Sequence, residues 1–366
     1  MKIIAVLNSQ SGTLRTMDID AFIDDACTAF AAEGHELSCV LTDGDDILAA
    51  LEKAAQNHDY DVLLAGGGDG TISAAAALAW QNDKILGVLP AGTMNLFARS
   101  LNIPQNVTEA IHALAKAGAE NVDIGTCNGQ SFVHQVAIGL HPMLVRYREK
   151  YSYASRVGKI LANFRAMGQL ITHVPRVKAV ADIDGRAVKG VYSALAVSNN
   201  PYGDSVLPVA PDVQTGHLGF YLAKPLPVSG MLKLFWDIAR GQWRSNLAIE
   251  EDHARSVQLT ILNHKAHQYM SVDGELLPLP AELDIRIHPA ALRVLVPQSE
   301  NLTGQNWRAH ENTAQIALCG VVYSRSNQSV TRLIVSTALA LSPCVAHVVI
   351  GKPVPIFPRH ALAEKL

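Results

Sequence analysis

Four glycines among the five residues from Gly66 to Gly70 surround a single carboxylate, and this stretch is the part of the sequence best suited to chemistry. Glycines lack the Cβ atoms that keep a backbone away from an anion, and the amide groups that open a following helix point toward it. Asp69 is the only charged residue of the loop, and no lysine precedes Thr71 as it would in a Walker A loop. A phosphate ligand would therefore need a divalent cation or a hydroxyl donor beside this carboxylate. The loop predicts a phosphate site, and the alternative is an ordinary turn in which Asp69 caps a helix.

Two more turns of this kind occur at residues 8–13 and 90–95. Each follows a short apolar run, Ile3 to Leu7 or Ile85 to Leu89, and each contains glycine, threonine and asparagine. Ligands of open parallel sheets bind at the carboxyl ends of the strands. The three turns therefore predict one shared site of nucleotide size.

The elements that must position these turns alternate in type along the first third of the chain. Helical periodicity marks residues 18–33 and 46–56, an Ala-rich helical segment follows the glycine loop, and strand-like apolar runs lie between them. This alternation predicts an α/β domain over residues 1–120, with a doubly wound parallel sheet covered by helices on both faces.

From residue 121 the pattern changes to short apolar runs separated by turn residues, which predict an antiparallel β-sandwich domain over residues 121–297. The predicted strands cover residues 131–138, 176–183, 187–198, 218–223, 257–261, 281–288 and 292–296, with helices at 155–172 and 228–240. Within this domain Asp273-Gly274-Glu275 follows a strand-like run, and by itself its Asp-Gly pair indicates a hairpin turn. Residues 298–366 form a C-terminal extension of unknown role, whose uncharged run at 333–351 is too polar for a spanning helix.

Composition excludes several classes of protein. A formal net charge of −3 with 49% hydrophobic residues predicts a globular chain and argues against a dedicated nucleic-acid binder. The five cysteines include no CxxC pair, so neither a disulfide framework nor a zinc site is expected. We read no secretion signal at Met1-Lys2 and expect a reducing, cytoplasmic location.

In combination, residues 67–71 (GGDGT), 92–95 (GTMN) and 273–275 (DGE) resemble the soluble diacylglycerol kinase catalytic family. That family also includes sphingosine and ceramide kinases and bacterial multi-substrate lipid kinases, and the resemblance runs from residue 1 to about residue 297. It implies an ATP-dependent enzyme that transfers the γ-phosphate to a hydroxyl of a diacylglycerol-like or sphingoid lipid, with Mg²⁺ accompanying the nucleotide. NAD kinases share the glycine-rich Asp-Gly-Thr, so an NAD kinase-like enzyme stays open. The non-enzyme alternative is a catalytically inactive, nucleotide-regulated membrane-binding module.

The resemblance also implies roles for single residues. Glu275 becomes the general base that takes the proton of the lipid hydroxyl, with Asp69 and Asp123 as further catalytic residues at the cleft. The nucleotide is expected at Asn8, Ser11, Gly12, Thr42, Gly67, Gly68, Asp69, Gly70, Thr71, Thr93 and Asn95. Asp69 would face the metal of the nucleotide, and Asp212 is the acid that could serve a structural magnesium in the second domain. Capping of turns and helices is the alternative for each of them.

Three positions depart from the family pattern. Ser9 stands where proline is common, and Leu96 stands where many members have aspartate. Thr215 stands where bacterial members use an aspartate before glycine to hold the structural magnesium. A neutral hydroxyl is a poor magnesium ligand, so that site would depend on Asp212.

One basic stretch, Arg146 to Lys178, contains eight basic residues and the single acid Glu149. Its apolar residues recur on one helical face, which is typical either of a helix packed on the core or of one that docks on a membrane. A lipid substrate requires peripheral contact with an anionic membrane surface, for which this stretch is the candidate. A homodimer is a further possible assembly.

Overall fold

The computed structural model of the 366-residue chain describes residues 1–151, 174–264 and 269–297. In these ranges the helices are α1 Ile19–Ala32, α2 Ile47–Gln56, α3 Asp69–Gln81, α4 Leu96–Ser100, α5 Val107–Ala115, α6 Leu140–Tyr151 and α7 Val228–Ala239. The strands of the first half are β1 Lys2–Asn8, β2 Glu36–Thr42, β3 Val62–Gly67, β4 Ile85–Pro90, β5 Gly118–Cys127, β6 Gln130–Phe132 and β7 Gln135–Gly139. Those of the second half are β8 Val177–Ile183, β9 Arg186–Tyr192, β10 Ala194–Ser198, β11 Leu218–Ala223, β12 Ile249–Ala254, β13 Ser256–Ile261, β14 Tyr269–Val272, β15 Glu275–Pro278 and β16 Glu282–Val296.

The first domain is built on parallel strands in the order β2-β1-β3-β4. Every residue of β3 is buried, which requires cover on both faces of the sheet. Helices α1, α2, α3 and α5 supply that cover, since their apolar faces share one core with the strands. The predicted α/β domain with a parallel sheet is confirmed.

The second domain is a sandwich of two sheets. Its smaller sheet has the order β12-β11-β10-β7-β14-β15. This sheet packs against β8, β13 and the first part of β16, and the second hydrophobic core lies between them. The predicted single strand at 187–198 is wrong, because β9 and β10 belong to different sheets. The chain changes sheets at Ser193, whose buried hydroxyl donates to the carbonyl oxygens of Ala223 (3.2 Å) and Lys224 (3.1 Å).

The last strand, β16, joins the two domains. Its first part pairs with β13, whereas Val294 pairs in parallel with Leu86 of β4. An irregularity between His288 and Leu292, with Ala290 at φ +52°, bends this strand where the sequence predicts two separate strands. Because Leu292, Val294 and Leu295 lie in the core of the first domain, the predicted boundary at residue 120 does not divide the two cores.

The predicted helix at 155–172 and the extension 298–366 lie outside the described residues. Helix α7 was predicted at 228–240 and is present. Across the ranges that the structure describes, we find no helix with both the length and the apolar character needed to cross a membrane.

Candidate active site

The three predicted loops meet at the carboxyl ends of the parallel strands. Strand register aligns Asn8 with Thr42 and Gly67 with Pro90. Backbone bonds continue this alignment into the loops, where the Thr13 amide donates to Ala91 O and the Ala91 amide donates to Gly67 O, each at 3.1 Å. The loops therefore form one continuous backbone surface.

Glycine is required where two of these loops touch. A Cβ atom on Gly92 would lie 2.6 Å from the Cα of Gly68, and one on Gly67 would lie 2.6 Å from the Thr71 side chain. Neither distance is possible for a real Cβ atom. At Gly70 a Cβ would meet no described atom within 4 Å, so the loop is open on that side. Close packing explains two of the glycines, and an open face remains for a ligand.

The Asp69 carboxylate holds the third loop in place. Its Oδ1 accepts from the Leu96 amide at 2.7 Å, and its Oδ2 accepts from the Asn95 amide at 3.1 Å. Asp69 thereby caps α4. Asn95 adopts a left-handed conformation with φ +50°, and its Oδ1 accepts from the Gly92 amide at 2.9 Å. Both oxygens of Asp69 thus help to position the third loop. Its catalytic and metal role stays a prediction, since each carboxylate oxygen has a second lone pair for a further donor or a metal.

Arg99 places a positive charge near that carboxylate. Burial lowers the pKa of its guanidinium, and the charge of Asp69 opposes this shift. Its Nε donates to Met94 O at 2.8 Å, so Arg99 also fixes the third loop.

The first loop leaves one buried hydroxyl without a partner. Ser11 is only 8% exposed, and its Oγ makes no hydrogen bond within the described part of the chain. The Asn8 side chain instead accepts from the Gln10 amide at 3.0 Å and closes its own turn. Thr93 is exposed, and Thr42 is partly exposed at the end of β2. An anion beside Ser11 would supply the missing acceptor, so the loops fit a phosphate.

Asp273-Gly274 is a hairpin turn, and it also faces the phosphate loop. Both residues have positive φ, +47° and +90°, as a type I′ turn requires. The turn joins β14 to β15, so Glu275 is the first residue of β15 and its side chain is exposed. The hairpin turn is therefore confirmed, and the role of Glu275 as general base stays a prediction.

Asp273 connects this hairpin to its surroundings through four donors. Its carboxylate accepts from the amides of Val133, His134 and Gln135, each at 2.9 Å. The sequence predicts one strand at 131–138. The three amide bonds to Asp273 turn the chain at residues 133–135, so two strands form there, β6 and β7. The fourth donor is the Ser73 hydroxyl at 2.6 Å, one helical turn after Asp69 in α3. Helix α3, which carries the phosphate loop, thus contacts the hairpin that carries Glu275.

Asp123 is buried at the junction of the domains, with 1% exposure. Its carboxylate accepts from Asn200 Nδ2 (2.8 Å), from the Gly216 amide (2.7 Å) and from the Ala290 amide (2.9 Å). Such an enclosed carboxylate fixes β5, two loops and the bend of β16 relative to one another. The bonds show this positioning role, and the catalytic role of Asp123 stays a prediction.

The residues around Thr215 do not fit the structural magnesium that the family resemblance implies. The Thr215 hydroxyl accepts from Asn200 Nδ2 at 2.9 Å and donates to His217 O at 3.1 Å, so protein groups occupy it. Asp212 is exposed, and its Oδ1 accepts from the Gln214 amide in a local turn. Among the described residues no group of three acids, histidines or cysteines could hold a metal. The predicted metal role of Asp212 is not supported.

Sequence reasoning missed the residues that connect the site, namely Ser73, Asp273 and Asn200. Asp273 belongs to a turn signal and to the DGE motif, but neither assigns it a role, although Asp at such a turn often bonds nearby amides. Ser73 follows Asp69 by four residues and so shares its helix face, which is a usable signal. Nothing in the sequence pairs Asn200 with Asp123, because 77 residues separate them.

A buried polar cluster flanks the hairpin. The Tyr202 hydroxyl donates to Gln135 Oε1 at 2.7 Å, and the Tyr202 ring lies 5.7 Å from that of His134 and 4.9 Å from that of Tyr221. Burial raises the pKa of Tyr202 well above its usual value, so its hydroxyl stays protonated and acts as a donor. This cluster fixes Gln135, whose backbone amide in turn donates to the Asp273 carboxylate.

Comparison with known protein families also divides the chain into two parts. Residues 2–127 match the family model of the diacylglycerol kinase catalytic domain, and residues 136–296 match that of the YegS C-terminal NAD kinase beta sandwich-like domain. A diacylglycerol kinase of Staphylococcus aureus (strain bovine RF122 / ET3-1) is 26% identical over 262 residues, which are 69% of this chain and 80% of that protein.

Solved structures agree on the fold. A crystal structure of a diacylglycerol kinase from Bacillus anthracis str. Sterne superposes with a TM-score of 0.58 at 18% identity, covering 81% of this chain and 96% of its own. A second crystal structure from that organism superposes with a TM-score of 0.63 at 21% identity, covering 81% and 95%. Together with the two matched models, these likenesses extend over both domains.

Proposed function

The chain belongs to the soluble diacylglycerol kinase catalytic family, and on that premise we propose that it is a lipid kinase, which transfers the γ-phosphate of ATP to a hydroxyl of a diacylglycerol-like or sphingoid lipid. The observation that carries this proposal is the Ser73–Asp273 bond of 2.6 Å. It joins the helix of a phosphate-sized loop to a hairpin that presents a free carboxylate, as a transfer between two substrates requires.

The loops bind and orient the nucleotide in this proposal. Backbone amides around Gly68 and Gly92 and the unpartnered Ser11 hydroxyl face the phosphates, and Asp69 keeps the third loop against the second. Magnesium bound with ATP supplies positive charge that offsets the charge of the phosphate oxygens. Glu275 takes the proton of the acceptor hydroxyl, because its exposed carboxylate lies directly after the turn that Asp273 fixes.

The acceptor could instead be NAD, and one observation favours testing it. The model that matches residues 136–296 describes an NAD kinase-like sandwich. Against that reading, the relative from Staphylococcus aureus that matches 69% of the chain is a diacylglycerol kinase. We propose the lipid acceptor, a cytoplasmic enzyme and peripheral contact with an anionic membrane, with no role in nucleic-acid binding.

A transfer assay with γ-labelled ATP and Mg²⁺ tests the acceptor. The purified full chain is offered diacylglycerol, sphingoid and ceramide lipids in mixed micelles, and NAD in a parallel reaction. We expect label in a lipid. Label in NAD alone overturns the lipid proposal, and binding of ATP without transfer to any acceptor indicates an inactive, nucleotide-regulated module.

A further inference from the structure

Helix α7 presents a stripe of exposed basic and aromatic side chains. Lys233, Trp236 and Arg240 are spaced by three and four residues, so they lie along one face of the helix and its C-terminal end. All three are exposed, and the Trp236 side chain is 44% exposed. The Arg240 guanidinium lies 4.4 Å from the centre of the Trp236 indole, which keeps a cation beside an aromatic ring in solvent.

A second exposed apolar residue lies on a loop that is bonded to α7. Leu247 is 96% exposed, which is unusual for a leucine in a globular domain. The loop that carries it is tied to α7, because Asn246 Nδ2 donates to Asp237 Oδ2 at 2.7 Å and the Gln242 amide donates to Asp237 O at 2.8 Å. Asp237, the only acid of α7, is thereby engaged by its own neighbours.

The described side chains of α7 lie outside the two hydrophobic cores. Leu234 is buried at 6% exposure, so α7 packs on the protein through a different face and leaves the stripe exposed. Exposed tryptophan and leucine side chains on a helix and its adjoining loop, together with a lysine and an arginine, match an interface at which one layer is apolar and the next is anionic, which is the boundary of a bilayer.

We propose that Lys233, Trp236, Arg240 and Leu247, the α7 surface, dock the protein on an anionic lipid bilayer. This inference deepens the proposed function and rests on it for the reason why docking matters. The two basic side chains face anionic headgroups, and the indole and the leucine enter the headgroup region.

The α7 surface is connected to the candidate active site. A Cβ on Gly241, directly after the stripe, would lie 3.7 Å from the carbonyl carbon of Ser205. That segment follows Tyr202, whose hydroxyl bonds Gln135 beside Asp273. Docking through α7 therefore places a bilayer next to a chain of contacts that ends at the hairpin of Glu275.

The test uses the full chain and sedimentation with vesicles of phosphatidylcholine, with or without phosphatidylglycerol. Lys233→Glu combined with Arg240→Glu should weaken partitioning onto anionic vesicles by about thirtyfold or more, since two basic residues at roughly 1 kcal/mol each are lost and the two acids that replace them are repelled. The matched control reverses the exposed Lys53 and Lys116 on the nucleotide domain, and it should bind as wild type does. Equal loss in both variants, or no loss in the first, overturns the proposal.

A second measurement does not depend on charge reversal or on catalysis. Brominated lipids should quench part of the fluorescence of the four tryptophans, and Trp236→Phe should remove that quenched part while the protein still binds. Quenching that persists in Trp236→Phe overturns the proposal, and so does a change of oligomeric mass in Trp236→Ala, which would assign the surface to a second copy. Docking with no lipid phosphorylation supports the α7 surface and removes only the kinase proposal.

Discussion

Removal of the Ser73 hydroxyl should uncouple the phosphate loop from the general base. In Ser73→Ala the Asp273 carboxylate keeps its three amide donors and loses the one that comes from α3. A hydrogen bond to a charged group contributes about 1.5–3 kcal/mol. If about half of that contribution positions Glu275 for transfer, kcat falls about four- to twelvefold, since 1.36 kcal/mol corresponds to a factor of ten.

Steady-state kinetics on the best lipid acceptor would measure this effect. The KM for ATP should stay within about twofold of wild type, because the loops that hold the phosphates are unchanged and only the transition-state geometry is affected. Ser73→Thr keeps the hydroxyl and should restore most of kcat. Ser100→Ala is the matched control, because that hydroxyl bonds only Leu96 O within its own helix (3.3 Å).

Thermal unfolding separates positioning from folding. We expect the free energy of unfolding to fall by about 1.5–3 kcal/mol in Ser73→Ala, whose bond is to a carboxylate, and by about 0.5–1.5 kcal/mol in Ser100→Ala, whose bond is to a carbonyl oxygen. Both proteins should stay folded at the temperature of the kinetic assay. A wild-type kcat in Ser73→Ala, or an equal decrease of kcat in both variants, would refute the coupling of α3 to the hairpin.

The remaining predictions concern the base, the loop and the metal. Glu275→Gln should lower kcat by about a hundredfold or more with ATP affinity nearly unchanged, as measured by turnover beside calorimetric ATP titration, and normal turnover would remove Glu275 from the mechanism. Asp69→Ala should raise the Kd for ATP about tenfold, because the third loop loses both carboxylate bonds, whereas Thr93→Val tests a hydroxyl alone and should weaken binding less. EDTA should not change the Tm of the wild-type protein. A structural metal present at a hundredfold excess over its Kd would contribute about 2.7 kcal/mol to the free energy of unfolding. A Tm that falls on chelation would therefore contradict our conclusion that the residues around Thr215 do not hold magnesium.

Local sequence patterns were sufficient for the parallel half of the fold. Strand β3 is continuously apolar and ends in glycines, and helix α1 has apolar residues at helical spacing, so type and order follow from periodicity and turn chemistry. The meeting of the three loops also follows, because carboxyl ends of parallel strands share one edge. The type I′ turn at Asp273-Gly274 was readable from the residue pair itself.

Those local patterns could not predict contacts between residues that are distant in the sequence. Periodicity cannot show that the chain changes sheets at Ser193, since β9 and β10 are both strand-like on either side of it. It also cannot show which donors a carboxylate finds. Asp69 resembles a ligand group in the sequence, but its partners at residues 95 and 96 become neighbours only when the loops fold. The same holds for Asp123, whose three donors come from three separate segments.

Strand β16 determines when the nucleotide domain can be completed during synthesis. Leu292, Val294 and Leu295 are fully buried in the first core, yet they follow the rest of that core by more than 150 residues of chain. A ribosome-bound chain that ends before this strand leaves the edge of β4 unpaired and part of the core open to solvent. The first domain therefore cannot complete its core before the second has been made, and closing so long a loop slows folding. In the finished protein the same strand connects both cores, so we expect heat to unfold the two domains in one cooperative transition.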